Sequence, residues 1–282
     1  MRTHEFLLGF RRAKNKASVA DMPLLLPLPD HWNRHLKTIY FAFQPLVGRD
    51  GKTIFGVEAL LRGYERAGFK TIKSFFDEAF EDNVLHALDV SLRFKAILQW
   101  RSIFGASNCR LFYNLDTRCV NGDTYEPGQT AAMLKYYNLE TGRVYLELSE
   151  QHEILPRKQI DLLLKSYRSQ GYLLALDDYG VCFAGLRTLF LTKPEILKID
   201  RFFIDGIDHD ERKQQFMKHL TLFAHDNNIK VVAEGVETAS EIKMCLSLGA
   251  DYLQGFAILR PTPNWDGKIK VDSNSKDALM CL

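Results

Sequence analysis

Val144-Tyr145-Leu146-Glu147, Leu173-Leu174-Ala175-Leu176-Asp177-Asp178 and Ile196-Leu197-Lys198-Ile199-Asp200 decide the fold reading. Each is a short apolar run that ends in, or carries, a charged residue. Between the first two, Ile160, Leu163, Leu164 and Tyr167 recur at helical spacing. Short apolar runs separated by a helical period read as βαβ units, whose parallel strands are buried on both faces. The pattern continues outward in both directions. Lys230–Ala233 and Tyr252–Leu253 follow, with Phe216, Leu220, Phe223 and Ala224 at helical spacing before them. Upstream lie Arg110–Leu115 and a helical period in Leu85–Phe104 through Leu85, Leu88 and Leu92. Thr38–Val47 and Lys52–Arg62 flank Arg49-Asp50-Gly51, the signal of an antiparallel hairpin. Eight strands between residues 37 and 263 fit a (β/α)8 barrel, an α/β fold of the TIM type. Periodicity alone leaves a doubly wound open sheet as the alternative.

Composition bounds the rest. The 282 residues are 46% hydrophobic and 26% charged, with a formal net charge of +2. That balance excludes a disordered or fibrous chain and argues against clamping duplex nucleic acid. No apolar run is long enough to span a membrane. Cys109, Cys119, Cys182, Cys245 and Cys281 are scattered and odd in number, without paired spacing, which points to free thiols and a cytoplasmic setting. Residues 1–36 read as an N-terminal tail or linker, 37–263 as the barrel, and 264–282 as a C-terminal tail.

The polar residues of the strands are placed alike. Glu58 comes late in the second run. Asn114, Glu147, Asp177-Asp178, Glu234 and Gln254 each close a run, and Lys198 sits inside one. In a barrel these positions converge on the C-terminal rim, where such enzymes keep their chemistry. Five carboxylates gathered there raise one another's pKa values, a conflict that divalent cations remove. An all-oxygen ligand set favours Mg²⁺ or Mn²⁺ over Zn²⁺. Adjacent Asp177 and Asp178 suit a carboxylate bridging two ions, the arrangement used for in-line displacement at phosphorus.

The phrases around these residues resemble the EAL-domain family of cyclic di-GMP phosphodiesterases. Phe43-Gln44-Pro45-Leu46 is similar to its opening segment, and Glu58-Ala59-Leu60-Leu61-Arg62 to its naming motif with the arginine. Asn114-Leu115, Glu147-Leu148-Ser149-Glu150, Asp177-Asp178-Tyr179-Gly180, Lys198-Ile199-Asp200-Arg201, Ala233-Glu234-Gly235-Val236-Glu237-Thr238 and Gln254-Gly255 follow in the family's order. The resemblance runs from about Tyr40 to Pro263. It implies a modified barrel with one antiparallel strand, in agreement with the opening hairpin. It also implies metal-dependent hydrolysis of cyclic di-GMP to linear pGpG in bacterial signalling, commonly as a homodimer joined to sensor or cyclase modules. Carried over by position, Glu58, Asn114, Glu147 and Asp177 hold one ion, and Asp177, Asp178 and Glu234 hold the second. Lys198, Glu234 and Glu58 act in catalysis. Gln44 and Arg62 contact the dinucleotide, Gln254 orders the shell around it, and Glu150 braces a loop at the dimer interface.

Two departures stand out. After Gly180 the chain reads Val181-Cys182-Phe183-Ala184-Gly185 where the family favours Thr-Gly-Tyr-Ser-Ser, and Asp116 replaces a serine after Asn114-Leu115. Other signals are weaker. Gly51-Lys52-Thr53 lacks the earlier glycine of a phosphate-binding loop. His31 and His35 have metal-like spacing but no supporting acid. Phe75, Phe76 and Phe80 read as core. A catalytically silent cyclic di-GMP receptor is the alternative function, and the presence of every expected ligand and of Lys198 favours the enzyme.

Overall fold

A computed structural model describes residues 26–121, 127–149, 157–180, 185–263 and 265–269. Its strands are β1 (Tyr40–Val47), β2 (Ile54–Arg62), β3 (Arg110–Asn114), β4 (Val144–Ser149), β5 (Leu173–Tyr179), β6 (Ile196–Ile199), β7 (Lys230–Glu234) and β8 (Tyr252–Gln254). They close into one barrel in chain order, which excludes the open sheet. β1 is antiparallel to both β2 and β8, and the other pairs are parallel. The hairpin turns on Asp50, whose Oδ1 accepts from the backbone N–H groups of Lys52 and Thr53 at 3.0 and 2.8 Å.

The helices are α1 (Asp30–Thr38), α2 (Ile72–Glu81), α3 (Leu85–Phe104), α4 (Gln129–Tyr136), α5 (Arg157–Ser169), α6 (Gly185–Thr192), α7 (Arg201–Ile204), α8 (Glu211–Asp226) and α9 (Ala239–Ser247). They enclose an outer core between themselves and the strands. A separate inner core fills the barrel, built from Leu46, Phe112, Tyr145, Ala175, Ile196 and Val232. Phe112 and Tyr145 stack there at 4.5 Å between ring centroids. Gly56 makes that stack possible, because a Cβ at this position would meet the Phe112 ring at 2.6 Å.

The chain stays packed beyond the limits expected for the barrel. α1 begins within the stretch read as a linker and runs two residues past its end. It buries Trp32 and Leu36, and Trp32 donates its indole N–H to Asp82 Oδ2 at 2.7 Å. His31 contacts the same Asp82 carboxylate at 3.1 Å, and His35 packs edge-on against Trp32 and Phe69. The two histidines thus serve this helix. Its period rests on just two apolar residues at i, i+4, too short to stand out in sequence. At the other end Trp265 is buried against Phe104. In α2, Phe75 is fully buried, whereas Phe80 is 46% exposed, a correction to its reading as core. Five positions after Phe75, it falls on a different face of the helix.

Candidate metal centre

The inner core positions the site. Side chains alternate along a strand, so the residue two places nearer the rim shares the same lumenal face. From Phe112 that step reaches Asn114, from Tyr145 Glu147, from Ala175 Asp177, from Ile196 Lys198 and from Val232 Glu234. On antiparallel β1 the step from Leu46 runs backward to Gln44. The register sets these residues side by side across strands: Gln44 beside Glu58, Asn114 beside Glu147, and Glu234 beside Gln254. Six strands of the apolar barrel therefore lift a ring of polar groups to one level at the rim.

Asp178 breaks the alternation. As a regular strand residue it would face away from Asp177. The β5–β6 register shifts between Leu176 and Tyr179, and Asp178 adopts φ +53°. Bulges of this kind re-aim a side chain next to a site. Here the bulge brings both aspartates to one cluster, and Asp178 accepts a hydrogen bond from Ser149 Oγ at 3.1 Å.

Lys198 stands at the centre and is fully buried. Its Nζ lies 2.6 Å from Glu147, 2.7 Å from Glu234, 3.0 Å from Asp177 and 3.3 Å from Glu58. Burial works against its charge, but the carboxylates of Asp177, Glu147, Glu234 and Glu58 outweigh it and hold the ammonium protonated well above its usual range. Burial first, and then the charge of Glu58, pushes the Glu147 carboxyl well above the usual carboxylate range. Burial and Asp177 do the same to Glu234. Burial with Asp177 raises Asp178 to about 6. One lysine thus balances only part of the charge. Both Glu147 oxygens are buried without a well-directed hydrogen-bond donor.

Amides hold the first carboxylate in place. Glu58 Oε1 accepts from Asn114 Nδ2 at 2.9 Å, and Glu58 Oε2 accepts from Gln254 Nε2 at 2.7 Å. Gln254 also donates to Gln44 Oε1 at 3.2 Å, and Gln44 donates to the Leu259 carbonyl at 3.1 Å. The Gln254 Oε1 atom is buried without a partner. β8 can approach this closely because residue 255 is glycine, where a Cβ would meet the Val236 backbone at 2.2 Å.

Two groups of carboxylates have ligand atoms within 4.8 Å of one another: Glu58, Glu147 and Asp177, and Asp177, Asp178 and Glu234. They share Asp177. The donor set is oxygen only, and its uncompensated charge and donor-poor Glu147 oxygens fit hard divalent cations. A cavity of about 250 Å³ opens above the ring, bounded by Glu234, Arg201 and Phe256. A second cavity of about 690 Å³ adjoins it along β2, β3 and α2, meeting the ring at Asn114 and Asp178.

Some expectations require adjustment. The partners of Lys198 are Asp177, Glu234, Glu58 and Glu147. Arg62 is half-buried at the end of β2, donates to the Leu61 carbonyl at 2.9 Å and lines neither cavity. Asp116 adds no bare charge, since Arg118 grips it through Nε and Nη2, the latter at 2.7 Å. Glu150 and Val181-Cys182-Phe183 lie outside the described residues. Sequence reading missed the Arg118 bridge between Asp77 and Asp116 on the wall of the larger cavity; the signal available was Arg118 two places after Asp116.

Comparison with known proteins agrees with the barrel fold. The EAL domain family model matches residues 31–261. The bifunctional diguanylate cyclase/cyclic di-GMP phosphodiesterase MucR of Pseudomonas aeruginosa is 26% identical over 90% of this chain and 37% of its own length. The cyclic di-GMP phosphodiesterase PdeF of Escherichia coli is 31% identical over 49% of this chain and 18% of its own length. The chain thus spans less than half the length of these curated relatives. Among solved structures, a manganese and cyclic di-GMP complex of Klebsiella pneumoniae BlrP1 superposes with a TM-score of 0.71 at 27% identity, covering 88% of this chain and 60% of that one. A cyclic di-GMP-bound standalone EAL protein of Vibrio cholerae gives 0.69 at 27% identity, covering 84% and 97%. A calcium and cyclic di-GMP complex of BlrP1 gives 0.71 at 25% identity, covering 95% and 68%.

Proposed function

The chain belongs to the EAL domain family, and from that premise we propose that it hydrolyses cyclic di-GMP to linear pGpG with two Mg²⁺ or Mn²⁺ ions. The observation that carries this reading is the pair of carboxylate trios sharing Asp177 around a buried ammonium. Glu58, Asn114, Glu147 and Asp177 would hold one ion, and Asp177, Asp178 and Glu234 the other. Bound there, the ions would supply Lewis-acid stabilisation and an activated water for in-line displacement at phosphorus.

The chain's own groups prepare that step. Asn114 and Gln254 fix both oxygens of Glu58, so the carboxylate does not rotate when its partners change. Lys198 keeps its proton and offers a fixed, buried positive charge, and such preorganised charge offsets negative charge growing on phosphoryl oxygens. Gln254 has an Oε1 without a partner, an acceptor suited to orient a water, and Gln44 holds Gln254 in place. Arg62 is given a phosphate contact, reached by releasing its bond to the Leu61 carbonyl. The silent-receptor reading is not favoured, because no expected ligand is missing and Lys198 is seated among four of the carboxylates.

This reading includes a homodimer braced through Glu150, a cytoplasmic location, and regulation by a sensor or cyclase module or a partner protein. No described helix is long and apolar enough to cross a membrane. The deciding experiment is incubation with cyclic di-GMP and Mg²⁺ or Mn²⁺, followed by chromatography of the product. Linear pGpG formed with either ion and abolished by excess chelator is expected. Undiminished turnover in chelator would overturn the metal reading.

A further inference from the structure

The two carboxylate trios are supported by different means. Around Glu58 the support lies inside the barrel, through the amides of Asn114 and Gln254. The trio of Asp177, Asp178 and Glu234 comes from β5 and β7. β6 lies between these strands, so the helical turn that follows it, α7, sits where both of them end. Asp200 starts that turn, its Oδ1 accepting from the Phe202 N–H at 2.8 Å.

α7 packs on one glycine beyond each ligand strand. Gly180, two residues after Asp178, has φ +100°, and a Cβ there would meet the Phe203 ring at 2.5 Å. Gly235, the residue after Glu234, has φ +70°, and a Cβ there would meet the Arg201 stem at 2.7 Å. Both positions require glycine for the left-handed backbone and again for the close approach of α7. The two α7 side chains are themselves fixed. Phe203 stacks on Phe216 of α8, with ring centroids 4.2 Å apart. Arg201 Nη1 meets Glu237 Oε1 at 2.6 Å. Beyond α7, the buried Glu241 carboxylate accepts from the Gly206, Glu237 and Thr238 N–H groups at 3.0, 2.8 and 3.0 Å. Phe203 lines neither cavity beside the ring, so packing is what it contributes there.

This arrangement bears most on Asp178. A bulge and a left-handed φ bring it into the cluster, and it stands in no register pair with β4 or β6. A non-glycine residue keeps such a backbone only where its surroundings impose it. We propose that Phe203 is a positioning residue for Asp178: by filling the space over Gly180 it holds the bulge in place, and so sets the affinity for the ion assigned to Asp177, Asp178 and Glu234 without affecting the ion at Glu58. The inference rests on the two-ion reading of the site and adds to it a residue outside the ligand set.

The test is calorimetric titration of the metal-free full chain with Mn²⁺, without substrate. Wild-type protein is expected to bind two ions. Phe203→Ala should weaken one of them by about tenfold or more, the scale on which groups that orient a metal ligand act, and leave the other within about twofold. In turnover the same variant should need correspondingly more Mn²⁺ for half-maximal rate. Once Mn²⁺ saturates, kcat should return, with KM for cyclic di-GMP unchanged. Asp178→Asn should weaken the same ion, and adding Phe203→Ala to it should cost little more, since changes that act through one group are not additive. Phe203→Met, unbranched and long enough to refill the space, should recover most of the affinity. Melting in chelator shows whether each variant is folded, and Phe203→Val takes the place of Phe203→Ala if the latter is not. If a folded variant binds both ions as tightly as wild type, or loses both alike, this inference falls and the proposed activity stands. If wild-type protein does not bind two ions, the two-ion reading falls and this inference with it.

Discussion

Lys198 is a lysine inside an apolar strand, and the four carboxylates around it explain why it is tolerated there. A fully buried ammonium without partners would lose its proton. Here it is held charged, and it in turn partly neutralises Glu58, Glu147, Asp177 and Glu234. Lys198→Met keeps the length and removes the charge. The expected result is a kcat lower by roughly 10²–10³, the usual scale for losing one preorganised charge-stabilising group. In chelator the variant should also melt below wild type, because the carboxylates then face one another uncompensated, and added Mn²⁺ should recover more of the loss than it adds to wild type. Steady-state kinetics and thermal melts check both, and a kcat near the parent's would remove Lys198 from the chemistry. Glu58→Ala works in the opposite sense on the metal-free protein. It removes one member of a like-charged group and should leave the chelated melting temperature equal or higher, while abolishing turnover. A strongly destabilised metal-free variant would mean that the Asn114 and Gln254 bonds to Glu58 are structural first.

α3 shows what an element needs in order to sit against this barrel. It is buried on nearly all sides, and its Asp89 and Arg93 are buried with the rest. The two pair at i, i+4. Arg93 also donates to Thr130 Oγ1 of α4 at 3.2 Å, and Tyr113 of β3 donates to Asp89 Oδ1 at 3.1 Å. The Arg93 guanidinium lies over the Tyr113 and Tyr167 rings. The pair thereby ties α3 to a strand and two further helices. Breaking a buried pair from one side leaves an uncompensated charge and costs about 3–5 kcal/mol. Asp89→Ala should therefore lower unfolding stability by that amount in chemical denaturation. The metal ligands all lie on other elements, so folded variant should retain activity. A loss below about 1 kcal/mol, the scale of an exposed pair, would show that water reaches Arg93. Sequence reading recovered α3 from Leu85, Leu88 and Leu92 to its last residue. It passed over this pair because an i, i+4 acid and base normally mark a solvated face.

Across the whole molecule, the two ends of the barrel do different work. The rim opposite the metal centre is closed by pairs such as Asp251. Its carboxylate accepts from Lys230 Nζ and the Val231 N–H and meets His225 Nε2, at 2.8, 2.9 and 2.8 Å. Burial alone would raise its pKa, but the hydrogen bonds from Lys230, Val231 and His225 outweigh it and hold the carboxyl below its ordinary 3.8. A carboxyl lowered on folding stabilises the fold above its unfolded pKa, and that stability is lost as pH falls through the folded value. Asp251→Asn should cost roughly 1–2 kcal/mol at neutral pH. The deficit should stay level down to about pH 4 and shrink below it. Denaturation curves of both proteins between pH 7 and pH 3 test this, and a deficit unchanged at pH 3 would assign the effect to packing. The order of elements, the opening hairpin and the level at which each polar residue leaves its strand were all legible in the sequence, because short apolar runs, a helical period and a turn signal are local properties of the chain. Closure of the eight strands was not, since an open and a closed parallel sheet bury the same apolar runs. Nor was the bulge that turns Asp178 beside Asp177, because strand alternation by itself sends neighbours to opposite faces. Lys198 meets Glu58 across 140 places in the chain, and Asp77 meets Arg118 across 41. Contacts at such separations depend on how strands and helices pack in space, and only the tertiary structure decided them.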